Sequence, residues 1–79
     1  PNDAALLLTL ARLSLRCELW GKAREYYEAT LAIRGDANSL VEYAGLMRGL
    51  GFESEADAAM RSALETAGLS SSLPVPPRH

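Results

Sequence analysis

Apolar residues recur along this chain at helical intervals, in four stretches separated by glycine-bearing breaks. In the first, Leu6, Leu7, Leu8, Leu10, Leu13 and Leu15 predict a helix capped by Asn2 or Asp3 and running to about Cys17. It is apolar nearly all round, which predicts burial on more than one side. In the second, Ala23, Tyr26, Tyr27, Thr30, Leu31 and Ile33 form a stripe, with Lys22, Arg24, Glu25 and Glu28 turned outward. That pattern predicts a helix from about Trp20 to Arg34, stopped by Gly35 as a C′ residue. The third stretch carries Val41, Tyr43, Ala44, Met47 and Leu50 and ends at Gly49-Leu50-Gly51. Its start is predicted near Asn38 or Ser39, where Ser39 and Glu42 have the form of a capping box. The fourth carries Ala56, Ala59, Met60, Ala63 and Leu64, starts near Phe52–Ser54 with Ser54 and Asp57 as a capping signal, and stops at Gly68. The remaining residues, 69–79, are rich in Ser and Pro and read as a flexible tail.

Comparing the chain with itself at an offset of 33 pairs Ala4 with Ala37, Leu7 with Leu40, Ala11 with Ala44, Leu13 with Leu46, Ala23 with Ala56, Leu31 with Leu64 and Gly35 with Gly68. One helix–turn–helix template is therefore used twice. The predicted organisation is a repeat domain over residues 3–68 (repeat one 4–36, repeat two 37–68) followed by the tail. Composition strengthens the helical reading. Of 79 residues, 13 are Ala and 14 are Leu, while Thr9, Thr30, Ile33, Val41, Thr66 and Val75 are the whole β-branched complement. Ala and Leu lead helix propensity and strands favour β-branched residues, so a β-rich fold is excluded. The expected fold class is all-α, an α-solenoid of two antiparallel helix hairpins.

The template resembles the tetratricopeptide repeat. A large and a small residue stand four apart on each first helix, at Leu7 and Ala11 and at Leu40 and Ala44. The second helices carry Ala23, Tyr27, Thr30 and Leu31, and Ala56, Met60, Ala63 and Leu64, in the family's order. The turn glycine of that family is present as Gly51 but replaced by Glu18, and the closing proline is replaced by Gly35 and Gly68. A narrower resemblance covers about residues 5–67. The runs Trp20-Gly21-Lys22-Ala23-Arg24-Glu25-Tyr26-Tyr27-Glu28-Ala29, Tyr43-Ala44-Gly45-Leu46-Met47-Arg48-Gly49-Leu50-Gly51 and Glu55-Ala56-Asp57-Ala58-Ala59-Met60-Arg61 are similar to the last repeats of the bacterial protoheme IX biogenesis family, HemY. That resemblance implies the C-terminal part of a repeat domain in an inner-membrane protein linked to haem or porphyrin metabolism, with no enzymatic activity in the repeats. The start at Pro1 fits an excised or processed piece of such a protein.

Candidate chemistry is sparse. Net charge is −2, and the seven arginines and Lys22 are scattered, without the clustered cationic footprint of nucleic-acid binding. Cys17 is the lone cysteine and His79 the lone histidine, so no disulfide framework, cysteine-rich metal site or nucleophile–base pair is expected, and the chain reads as a non-enzyme. Gly45, Gly49 and Gly51 lie on or after a helix and are no dinucleotide fingerprint. Arg12 and Arg16, one helical turn apart, and Arg48 lie in the repeat frame on the first helix of each pair, which lines the inner groove of such arrays. Either they read a carboxylate-bearing partner, as guanidinium forks do, or they sit in solvent paired with nearby acids. The expected partner-binding groove is Leu8, Arg12, Leu15, Arg16, Val41 and Arg48, holding a protein or peptide. The Lys and Asn of the chaperone-binding clamp are replaced by Leu8 and Arg12, so that specificity is not expected. Leu6 and Leu13 are expected to form an interface with a preceding repeat or in a homodimer. Two alternatives remain: a self-association cap, and a tetrapyrrole-binding module with arginines on the propionates. Haem-iron ligation has thin support, because Met47 and Met60 fit core positions and no Cys-x-x-Cys-His motif exists. Trp20, Tyr26, Tyr27 and Tyr43 are read as packing residues, Trp20 stapling the turn. Any membrane attachment would come through other segments of a parent protein, since the apolar run Ala4–Ala11 is too short to span a bilayer.

Overall fold

A computed structural model of the chain describes residues 3–68. It contains four helices, α1 (Ala4–Arg16), α2 (Trp20–Ile33), α3 (Ala37–Gly49) and α4 (Glu53–Thr66), and no strand among the described residues. α1 packs tightly on α2, and α3 on α4, while α2 and α3 meet in a thinner junction. The expected two-hairpin stack is what the structure shows. The helices of the second hairpin begin 33 residues after those of the first.

The same local physics acts twice. Asp3 caps α1 by accepting from the Ala5 and Leu6 amides at 3.0 and 3.2 Å. Asp36 caps α3 by accepting from the Ser39 amide at 2.9 Å, which holds its carboxyl below the usual range. This corrects the capping-box expectation: Ser39 is the third residue of α3, fully buried, and Glu42 is free for another task. The Ser54 signal is also overridden, because α4 starts one residue earlier, with Phe52 at the cap position and no side-chain cap.

α2 and α4 instead start from a paired turn. After α1, the Glu18 amide donates to the Leu15 carbonyl at 3.0 Å and the Leu19 amide to the Ser14 carbonyl at 2.8 Å. After α3, Gly51 donates to Arg48 and Phe52 to Met47 at the same two distances. Both are Schellman turns, which need a left-handed residue at the C′ position. Gly51 supplies it at φ 91°, and Glu18 supplies it at φ 59° despite its Cβ. Gly68 ends α4 in the same conformation at φ 77°. Gly35 does not: α2 ends through the extended Arg34, and the chain turns into α3 at Asp36.

The core is small. Ala11, Ala23, Tyr27 and Leu46 form one buried cluster, with Leu8, Leu15, Tyr26 and Tyr43 packed against it. Alanines at Ala11, Ala23, Ala44 and Ala56 are essentially without exposure, which lets paired helices approach closely. Leu46 belongs to this cluster although its neighbours in sequence gave no reason to rank it above Val41 or Leu50, which are exposed. Ile33 and Leu64 are also exposed, against their place in the apolar stripes. Within this chain α1 is not buried on more than one side: Ala11 and Ser14 are its buried residues, and Leu6 and Leu13 face solvent, the state expected of them where no preceding repeat or second copy covers them. The tail expected at 69–79 lies outside the described residues.

Candidate functional site

The face shared by α1 and α3 is built around one carboxylate. Arg12, on α1, donates from Nε and Nη2 to the two oxygens of Glu42, on α3, at 3.0 and 2.5 Å. The Tyr27 hydroxyl, from α2, donates to the same Glu42 Oε1 at 3.0 Å. Three helices therefore converge on a half-buried side chain. The Arg12 hydrogen bond, aided by that of Tyr27, holds the Glu42 carboxyl below the usual range although burial acts the other way. Burial first, then the bond to Glu42, pushes the Tyr27 phenol up to about 12. A second, more exposed set repeats the pattern nearby: Tyr43 donates to Glu28 at 2.9 Å, and Arg24 donates to the same Glu28 Oε2 at 3.0 Å. The Arg24 guanidinium also lies over the Phe52 ring, 5.3 Å from its centroid, linking α2 to the turn of the second hairpin.

Beside this network an open cleft of about 350 Å³ is lined by Leu15, Trp20, Gly45, Leu46, Gly49 and Leu50. Its floor is α3. Gly45 and Gly49 stand one turn apart there, and a Cβ added to either would meet nothing within 4 Å. Ala costs a helix interior about 1 kcal/mol less than Gly, so these two glycines weaken α3 and leave its surface bare. Trp20, 44% exposed, forms one wall. The 33-residue equivalents of Gly45 and Gly49 are Arg12 and Arg16, so the bare helix surface belongs to α3 and is not repeated on α1.

The structure brings Leu8, Arg12 and Leu15 together on α1 and places Leu15 in the cleft. Arg16 is exposed and, unlike the other two arginines, makes no ion pair among the described residues. Arg48 turns toward the start of α4, donating to Glu53 at 2.6 Å and Asp57 at 3.0 Å. Val41 is exposed on α3 without a place in the cleft. Trp20, Gly45, Gly49 and Leu50 were not among the expected groove residues. The signal that could have found them is the pair of glycines inside a helix at i, i+4, next to a turn aromatic. Glu42 was hidden by its plausible role as a capping residue.

No group of three or more His, Cys, Asp or Glu side chains among the described residues could hold a metal ion. No helix among them is long and apolar enough to cross a membrane. Cys17 is exposed at the end of α1. No family model, curated protein or solved structure matches the chain.

Proposed function

We propose that this chain is a non-catalytic protein–protein interaction module that takes a partner's peptide segment along the α1/α3 face, with an apolar side chain seated in the cleft. The observation that carries this reading is the cleft itself, apolar at Leu15, Trp20, Leu46 and Leu50 and kept open by Gly45 and Gly49. Its volume lies at the small end of ligand sites, roughly 300–1,000 Å³. That suits one or two side chains better than a large planar ring. Arg12 and Arg48 are already engaged by acids, which leaves Arg16 as the guanidinium ready to meet a partner carboxylate. The resemblance carried by residues 5–67 supports a cellular setting in bacterial haem biogenesis, as the C-terminal repeat region of an inner-membrane protein.

The test is selection of a displayed random-peptide library on the 79-residue chain, followed by affinity measurement on Gly45→Leu and Gly49→Leu. Both variants fill the cleft where there is open space, and both replace glycine by a better helix former, so the fold survives. Selected peptides with an apolar anchor should lose at least tenfold in affinity for either variant. Equal affinity for wild type and both variants would remove the cleft from the account.

A further inference from the structure

The two repeats are built alike but not buried alike, and two stripes stand out, one on α1 and one on α4, that are more exposed than their equivalents. On α1, Leu13 is 53% exposed whereas its equivalent Leu46 is 6% exposed, and Leu6 is 46% exposed whereas its equivalent Ser39 is 1% exposed. Thr9 is exposed and its equivalent Glu42 half-buried. These positions, 6, 9 and 13, share one face of the helix. On α4, Leu64 is 40% exposed while Leu31 is half-buried, Met60 is half-buried while Tyr27 is sealed, and Asp57 is exposed while Arg24 is half-buried. These positions, 57, 60 and 64, have the same spacing and share one face of α4. The positions where paired helices meet do match: Ala11 and Ala44, Ala23 and Ala56, and Thr30 and Ala63 are all buried, while Leu8 and Leu15 are half-buried where their equivalents Val41 and Arg48, on the other side of the helix, are exposed.

The cause is the α2–α3 junction. What α3 gains by lying against α2, α1 lacks, and what α2 gains from α3, α4 lacks. We propose that copies of this chain stack head to tail, α4 of one copy against α1 of the next, repeating between molecules the junction found within each. The chemistry of the two faces suits this. Inside the chain the junction carries polar pairs, the part-buried Tyr27 with Glu42 and the more exposed Tyr43 with Glu28. At the equivalent positions of a stacked pair, Met60 meets Thr9 and Arg61 meets Leu10. Neither pair holds a carboxylate, the one on the α4 stripe, Asp57, is already paired with Arg48 at 3.0 Å, and Leu6, Leu13 and Leu64 add apolar area. The faces used differ, so the contact is heterologous, and a stacked pair leaves one face of each kind free for a further copy. They also lie apart from the cleft, so this proposal stands or falls independently of the peptide-binding reading.

The test is sedimentation equilibrium of the 79-residue chain from about 10 µM to about 1 mM, a range suited to a small interface. Wild type should show a weight-average mass that rises with concentration. Leu13→Glu and Leu64→Glu should each hold the chain at monomer mass, since each blocks one face at an exposed position. Mixed in equal amounts they should form a dimer and nothing larger, because each supplies the face the other lacks. Leu6→Lys serves as a second α1 variant, and the helical circular-dichroism signal of every variant verifies its fold. The proposal is overturned by a monomeric wild type across the range. If deletion of residues 69–79 then permits association, the α4 face belongs to the chain's own end. It is overturned equally if Leu64→Glu associates as wild type does, which indicates a symmetric α1–α1 dimer, or if the mixture stays monomeric.

Discussion

Glu42 accepts from Arg12 and from Tyr27, so each bond it makes joins different helices. Replacing one partner is not the same as replacing the acceptor. Tyr27→Phe keeps the buried ring and removes a hydroxyl, and should cost about 1 kcal/mol, the usual net value of one hydrogen bond. Tyr27→Ala empties a core position and should cost about 3–5 kcal/mol. Denaturant unfolding of the two variants separates these sizes. The carboxylate also sets an acid limit. Its folded pKa is depressed, so its contribution is full above the unfolded value near 4.5 and is lost as pH falls through the folded value. Glu28 shifts in the same direction through its bond from Arg24, with Tyr43 adding to it. Thermal midpoints should therefore fall as pH drops below about 4.5, and Glu42→Gln should flatten that fall. A variant that melts with the wild-type pH profile would show that Glu42 is not the group responsible.

At the scale of the element, the turns make the repeat visible twice over. Glu18 and Gly51 occupy the same left-handed position, and only one of them is suited to it. A side chain with a Cβ there carries a steric cost of about 1 kcal/mol or more. Glu18→Gly should recover about 1 kcal/mol, and Gly51→Ala should lose about as much, although no neighbour lies within 4 Å of the new Cβ. Two equilibrium unfolding curves decide it, and changes of the same sign would contradict the assignment. Asp36→Ala should cost α3 about 1 kcal/mol, while Ser39, once expected to cap, has no capping bond to lose.

The elements were largely legible because periodicity, glycine stops and the 33-residue offset are local signals. The boundary of α3 was not, because two acceptable caps, Asp36 and Ser39, stand three residues apart and local pattern does not rank them. The site was legible in part. Leu8, Arg12 and Leu15 follow from helix position alone, whereas Glu42 and Trp20 depend on what an adjoining helix brings near them. The cleft depends on missing side chains at Gly45 and Gly49, and absence leaves a weak trace in a hydrophobic pattern.

At the scale of the whole molecule, burial depends on what stands beside a helix. Leu13 and Leu46 are equivalent in the template but differ in cover, since Leu46 joins Ala11, Ala23 and Tyr27 across the hairpin junction. Leu46→Ala should cost about 2–5 kcal/mol, the range for a buried leucine. Leu13→Ala should stay within about 0.5 kcal/mol in dilute solution. Matching costs would mean that the junction between hairpins contributes little. The same junction supplies two walls of the cleft, since Leu15 and Trp20 come from the first hairpin and the floor from the second. Binding and hairpin stacking are coupled for this reason. Trp20 is the sole tryptophan and lines the cleft, so its fluorescence reports occupancy of that place and no other. The most direct measurement is Trp20 emission during titration with the tightest selected peptide, on wild type and on the Gly45→Leu/Gly49→Leu double variant. The account predicts a blue shift and reduced acrylamide quenching in wild type, and neither in the variant. Tight binding that leaves Trp20 emission unchanged would contradict it.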